Sequence, residues 1–231
     1  MRLFELAYAC RIYAGVTEFD KGYKSFVKAV GKRIDLGSSK HLKELLKWLN
    51  SWGCRQFAIK YHANAMESIK QWAHKWESKL PDRNISLEAL SEKEIDIICE
   101  AYDSLSKQFA SKRQNGSKKT DVKIGHTGAA KILFAIRPNT LPPWDIPIRK
   151  AFGFDGEPAS YGNYLRQVRE KVQELCSDAR RYGLEPNGIG SAVDRPNSSL
   201  PKLVDEYNWV TLTKKVNVPG LNILNKWLKW L

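Results

Sequence analysis

The chain is poor in metal-ligating side chains, with four cysteines and four histidines in 231 residues. Cys10, Cys54, Cys99 and Cys176 stand far apart in helix-like apolar settings, which excludes a CxxC clip and a compact disulfide framework. They read as buried or partly buried thiols in a reducing compartment. His41, His62 and His74 have no partner at metal-ligand spacing, so neither a metal nor any other cofactor is expected. Long uncharged apolar runs are missing as well, which excludes a membrane-spanning helix. Glu5 and Arg11 interrupt the N-terminal MRLFELAYACRIYAG and exclude a signal-peptide core, so a cytoplasmic protein is expected. Period-two alternation is absent apart from short ambiguous runs near 209–218. Acidic residues are in deficit, 25 against 38 Lys and Arg, for a net charge of +13.

Part of that excess is local. Lys107, Lys112, Arg113, Lys118, Lys119 and Lys123 face Asp121 alone around a Gln-Asn-Gly-Ser loop. Lysines in such a loop suit phosphates, because they displace condensed counterions. Solubility explains a moderate excess equally well, and an anionic membrane surface is a second partner class; nucleic acid is favoured.

The periodicity is helical. Leu3, Leu6, Ala7, Cys10 and Tyr13 form a first stripe. A second helix starts with Thr17 as N-cap, and a third is capped by Ser38 or Ser39 and buries Leu42, Leu45, Leu46 and Leu49. Residues 55–79 read as one amphipathic stretch with Trp72 and Trp76 as core anchors. A helix from Ser86 to about Ala110 contains a capping box at Ser91 and Glu94 that can divide it in two. Short helices follow at Gly128–Ile136 and past Asp145, then long ones over 159–182 and 200–213. An all-α fold is the expectation, with 42% hydrophobic residues sufficient for a core. The tail LNILNKWLKWL is amphipathic, with Leu221, Leu224, Leu228 and Leu231 on one face, and reads as a closing helix.

Chemistry concentrates in KIGHTGAAKILFAIRPNTLPPWDIPIRKAFG, residues 123–153. Gly125 and Gly128 allow a tight turn whose N–H groups point at a phosphate, next to a helix start, with Lys123 and Lys131 flanking. Asp145 stands at the mouth of the next helix, where simple capping, worth about 1 kcal/mol, explains it without any chemistry.

This layout resembles the helix-hairpin-helix DNA glycosylases: a glycine hairpin, a helix, a hydrophobic residue followed by Asp, then a helix with basic residues ending in Leu/Phe-Gly. Trp144-Asp145, Arg149-Lys150 and Phe152-Gly153 occupy those places, and the resemblance is specific over about 123–153. It implies a two-lobed helical fold. Residues 38–150 would form one lobe with the hairpin at 123–131; residues 1–37 would join 151–231 in the other. It further implies a base-excising enzyme that acts on double-stranded DNA as a monomer, with Asp145 as the catalytic carboxylate. Lys123, Gly125, His126, Thr127, Gly128, Lys131, Arg149 and Lys150 would hold the DNA. Three departures qualify it. The hairpin reads IGHTG rather than Leu-Pro-Gly-x-Gly, Ala130 stands where bifunctional members carry a nucleophilic lysine, and the four-cysteine cluster is missing. A monofunctional glycosylase is implied, with Lys131 as the one residue that would make it lyase-competent. The Trp-Asp form and the compact length resemble the bacterial branch that defends against phages by excising hypermodified bases, with glucosylated hydroxymethylcytosine as one candidate.

Candidates for the base pocket are Trp144, Tyr207 and Trp209, with Asp205 beside them, and Tyr8 and Tyr13 of the first helix; core packing is the plainer role for each. Two rivals remain at the level of sequence. One is a non-catalytic DNA-binding protein with Asp145 as a cap only, and the other is a helical interaction protein whose charge serves solubility.

Overall fold

The computed structural model describes all residues but 32, 116, 221, 224, 225 and 227–231, and the backbone alone of Asn115. Leu221, Leu224, Leu228 and Leu231, expected to form a closing helical face, lie outside the described residues.

The chain is mostly helical. Helices α1 (Leu3–Val16), α2 (Phe19–Val30) and α3 (Ser39–Ser51) come first, then α4 (His62–Trp76) and α5 (Glu92–Ser106). Strands β1 (Phe109–Asn115) and β2 (Lys118–Lys123) separate these from α6 (Gly125–Ile136) and α7 (Ile146–Ala151). Helices α8 (Pro158–Arg180), α9 (Ile189–Ala192) and α10 (Leu200–Asn208) complete the described fold, with a π-helical turn at Trp209–Thr213.

Local chemistry explains most boundaries. Ser38 Oγ accepts from His41 N at the start of α3. At α5 the capping box is complete: Ser91 N donates to Glu94 Oε2 at 2.8 Å and Glu94 N to Ser91 Oγ at 3.3 Å. The stretch from Ser86 therefore divides, with a short 3₁₀ turn at Leu87–Ala89 before α5. Thr17 lies one residue short of the cap of α2, which is Glu18, although its hydroxyl does accept from Phe19 N at 3.1 Å.

The all-α expectation needs one correction. The basic stretch is an antiparallel ribbon, pairing Ser111 with Val122, Lys112 with Asp121, Arg113 with Thr120 and Gln114 with Lys119. Its outer residues are polar on both faces, so the apolar–polar alternation that marks a half-buried strand never arises. Ladder hydrogen bonds hold it in place of a hydrophobic face.

One continuous apolar core runs through the chain, from Leu6 of α1 to Val204 of α10. Helix α1 packs on α10 and α8, α2 on α3, and α5 on both α6 and α8. Two aromatic groups stiffen it. Phe26 stacks on Trp48 with centroids 4.9 Å apart, and Tyr23 lies 5.1 Å from Phe134. Around α8, Tyr102 stacks on Tyr161 at 4.2 Å, and Trp144 on Tyr164 at 5.0 Å. Each such contact adds about 0.5–1.5 kcal/mol beyond area burial. The second group fixes the irregular segment 137–145, because Tyr164 donates to Pro143 O at 3.1 Å. At the other end of that segment, Arg137 donates to the carbonyls of Pro81, Ile136 and Glu77.

Candidate active site at the corner between α6 and α7

Helix α6 begins at Gly125, three residues earlier than the sequence suggests, because Gly125 takes a left-handed φ of +68° that turns the chain out of β2 directly into the helix. Ile124 N donates to Gln108 O at 2.9 Å and closes the foot of the ribbon, while Gln56 Nε2 donates to Ile124 O at 2.8 Å. The N–H groups of Gly125, His126 and Thr127 belong to the unpaired first turn. Gly128 does not: it is buried inside α6, and a Cβ there would meet Gln56 Nε2 at 2.6 Å. Its role is close packing, which corrects its assignment to a phosphate-holding hairpin. The expected glycine hairpin thus becomes a strand-to-helix turn.

Asp145 caps α7, its Oδ1 accepting from Ile148 N at 3.0 Å. The residue is half-buried, while the next two, Ile146 and Pro147, are exposed, so its carboxyl stands at the rim of the protein. Burial raises its pKa, and the Ile148 N–H, Lys131 and Arg149 partly offset that rise. Trp144 points the other way. It is buried in the aromatic group, and it fixes the position of Asp145 from behind instead of lining a pocket.

Lys131 is also corrected. Its Nζ donates to Trp52 O at 2.6 Å and lies 5.4 Å from the Trp52 ring centroid, with the residue buried. An ammonium held this way is an internal counter-charge to Asp145 and is unavailable to a DNA phosphate. Of the remaining DNA-contact candidates, Lys123 and Lys150 are exposed. Arg149 donates to Asp155 O at 3.1 Å and lies 3.2 Å from His126 Nδ1. Burial and then Arg149 lower the pKa of His126, which favours the neutral ring.

Asp205, on α10, shares the electrostatic neighbourhood of Asp145. Burial pushes its pKa up to about 7; Lys202 and Lys131 oppose the shift, and Asp145 and Glu206 add to it. Lys202 Nζ lies 3.5 Å from Asp205 Oδ2 and 3.0 Å from Glu206 Oε1. Glu206 in turn takes two hydrogen bonds from Arg195, at 3.1 and 2.8 Å, and Arg195 also pairs with Asp20. Burial works against the Lys202 ammonium, yet Glu206, Tyr13, Asp205 and Asp20 together hold its pKa above the ordinary value.

The aromatic candidates separate. Tyr13 is buried, 4.6 Å under Lys202 and edge-on to Trp209 at 5.3 Å, so it belongs to the core and not to a base pocket. Trp209, half-buried, opens the π-helical turn and packs on Phe19 as well. Tyr207 is half-buried beside Lys171, with the ammonium 5.6 Å from its ring, and Tyr8 is half-buried on α1. Lys202, Glu206, Arg195 and Asp20 escaped notice in the sequence, although the four-residue step from Lys202 to Glu206 is the usual ion-pair spacing on a helix.

A cavity of about 900 Å³ opens between α2, the end of α4, the loop at 80–84 and the C-terminal end of α6. Tyr23, Phe26, Arg33, Arg137 and Lys202 are among its walls, and Asp145 is not. Among the described residues no His, Cys, Asp and Glu side chains group as metal ligands, and no helix is long and apolar enough to cross a membrane. No family model, no curated protein and no solved structure matches the chain.

Proposed function

We propose that the protein is a monofunctional DNA glycosylase of helix-hairpin-helix type that flips a modified base out of double-stranded DNA and releases it, leaving an abasic site. The observation that carries this reading is Asp145: a carboxyl at the protein's rim, fixed from behind by Trp144 and countered from inside by Lys131. Scission of the C1′–N bond leaves positive charge on the sugar, and an ionised carboxylate beside C1′ offsets that charge. Water then adds its oxygen to C1′, one of its protons ends on the departing base, and Asp145 orients it. The unpaired N–H groups of Gly125, His126 and Thr127 hold a neighbouring phosphate, and exposed Lys123 and Lys150 add sequence-independent attraction. The burial of Lys131 Nζ against Trp52 O supports the monofunctional form, since that amine is not free to attack C1′.

The test is alkali-labile strand breakage after incubation with DNA carrying uracil, alkylated, oxidised or glucosylated hydroxymethylcytosine bases. Wild-type protein is expected to make one of these substrates alkali-labile, and Asp145→Asn to do so more slowly by about 100-fold or more. Borohydride is expected to trap no covalent complex. The hydrogen bond from Ile148 N to Asp145 favours a second reading, a non-catalytic DNA-binding protein in which Asp145 only caps α7. Salt-dependent DNA binding by both proteins, without breaks on any substrate, decides for it.

A further inference from the structure

Apart from Lys123 at its end, the ribbon between α5 and α6 takes no part in the site described above, yet it carries exposed cations that have no acidic partner among the described residues. Lys112 pairs with Asp121 at 3.7 Å and Lys107 with Asp103 at 2.6 Å. Arg113, Lys118, Lys119 and Lys123 have no acidic partner among the described residues, and all four are exposed. Side chains directly opposite one another on an antiparallel ribbon share a face. The register and the alternation along β2 therefore put Arg113, Thr120 and Lys118 on one face, and Lys119 with Gln114 on the other.

Cations on both faces decide between partners. A flat anionic bilayer engages one face of a ribbon and leaves the other in water. A groove has a phosphate wall on each side. Two strands about 4.8 Å apart, with their side chains, fit the major groove of B-DNA, which is about 12 Å wide and admits a two-stranded ribbon. Near its foot, Ser111 is buried and donates to Gln56 O at 2.6 Å, and Ile124 N bonds Gln108 O. The arm is thus anchored at the start of α6, the helix that leads towards Asp145.

We propose that the two strands of the ribbon, over residues 111–114 and 118–120, form a DNA-binding arm that lies in the groove of duplex DNA, with Arg113 and Lys118 on one phosphate strand and Lys119 on the other. The proposal shares its DNA partner with the proposed function, but it concerns binding alone and involves no base removal.

The experiment measures affinity for an undamaged fluorescent duplex across a salt series. It uses the full chain, the variant R113Q/K118Q/K119Q, and a charge-matched control, K40Q/K43Q/K70Q, altered on exposed positions of α3 and α4. Each lost phosphate contact removes about 0.9 from the slope of log K against log salt, so the arm variant is expected to lose between about 2 and 3. Its affinity at 100 mM salt should fall at least tenfold, while the control keeps its slope to within about one contact. An unchanged slope for the arm variant overturns the proposal. So does an equal loss in the control, or a loss of binding to phosphatidylserine vesicles with duplex affinity retained. Asp145→Asn, run in parallel, is expected to bind as wild type does. A failure of base release would therefore defeat the glycosylase reading and leave this one standing.

Discussion

Charge gathers in two regions of this molecule, and the two treat it in opposite ways. Around α10, Lys202, Glu206, Arg195 and Asp205 are all buried, and each is matched by an opposite charge within hydrogen-bond or ion-pair distance. On the ribbon, Arg113, Lys118 and Lys119 are exposed and unmatched by any acid among the described residues. A buried charge must be compensated by the fold itself, because desolvation costs several kcal/mol per ion. An exposed one costs the fold almost nothing and remains available to a partner. The same residue types therefore do structural work in one place and recognition in the other. Composition, which counts both towards +13, cannot separate them.

The largest effect that would break this comparison lies in the buried network. Glu206→Gln keeps the shape but removes the charge that holds Arg195 and Lys202, leaving two cations to the Asp20 and Asp205 carboxylates. A loss of about 3–5 kcal/mol in urea unfolding is expected. A loss under about 1 kcal/mol would show that this cluster is no more demanding than the surface.

Asp205 offers a smaller and more diagnostic effect. Its folded pKa of about 7 lies above that of an unfolded aspartate, near 3.9. The sign follows. The stability it contributes is fully present below about pH 4 and is lost as the pH climbs towards and past 7, on the order of 4 kcal/mol in all. Asp205→Asn is expected to flatten the profile of unfolding free energy against pH over that range. A profile as steep in the variant would assign the titration to another group, with Asp145, also raised, as the first suspect.

What the sequence made legible follows the same division. Helical stripes, the Ser38 and Ser91 caps and the core role of Trp72 and Trp76 were readable because period and capping chemistry are local. Asp145 at the mouth of α7 was readable for the same reason. The ribbon was not, since both its faces are polar and no alternation marks it. Lys131 reads in the sequence as a DNA contact, because nothing local tells a lysine that reaches Trp52 O, 79 residues away in sequence, from one that reaches a phosphate. Trp144 and Tyr13, for which core packing is the plainer reading of the sequence, do stand in the core, held there by long-range aromatic contacts.

The smallest expected effect sharpens the comparison from the other side. R113Q/K118Q/K119Q removes three cations that repel one another and touch no acid among the described residues, on strands whose ladder bonds are made by the backbone. Its unfolding free energy should match the wild type within about 0.5 kcal/mol, with a small gain at low ionic strength where like charges are least screened. A loss above about 1 kcal/mol would mean that these side chains hold the ribbon together. Any fall in DNA affinity would then report a melted arm, and the salt slope would have to be measured again with each residue substituted alone.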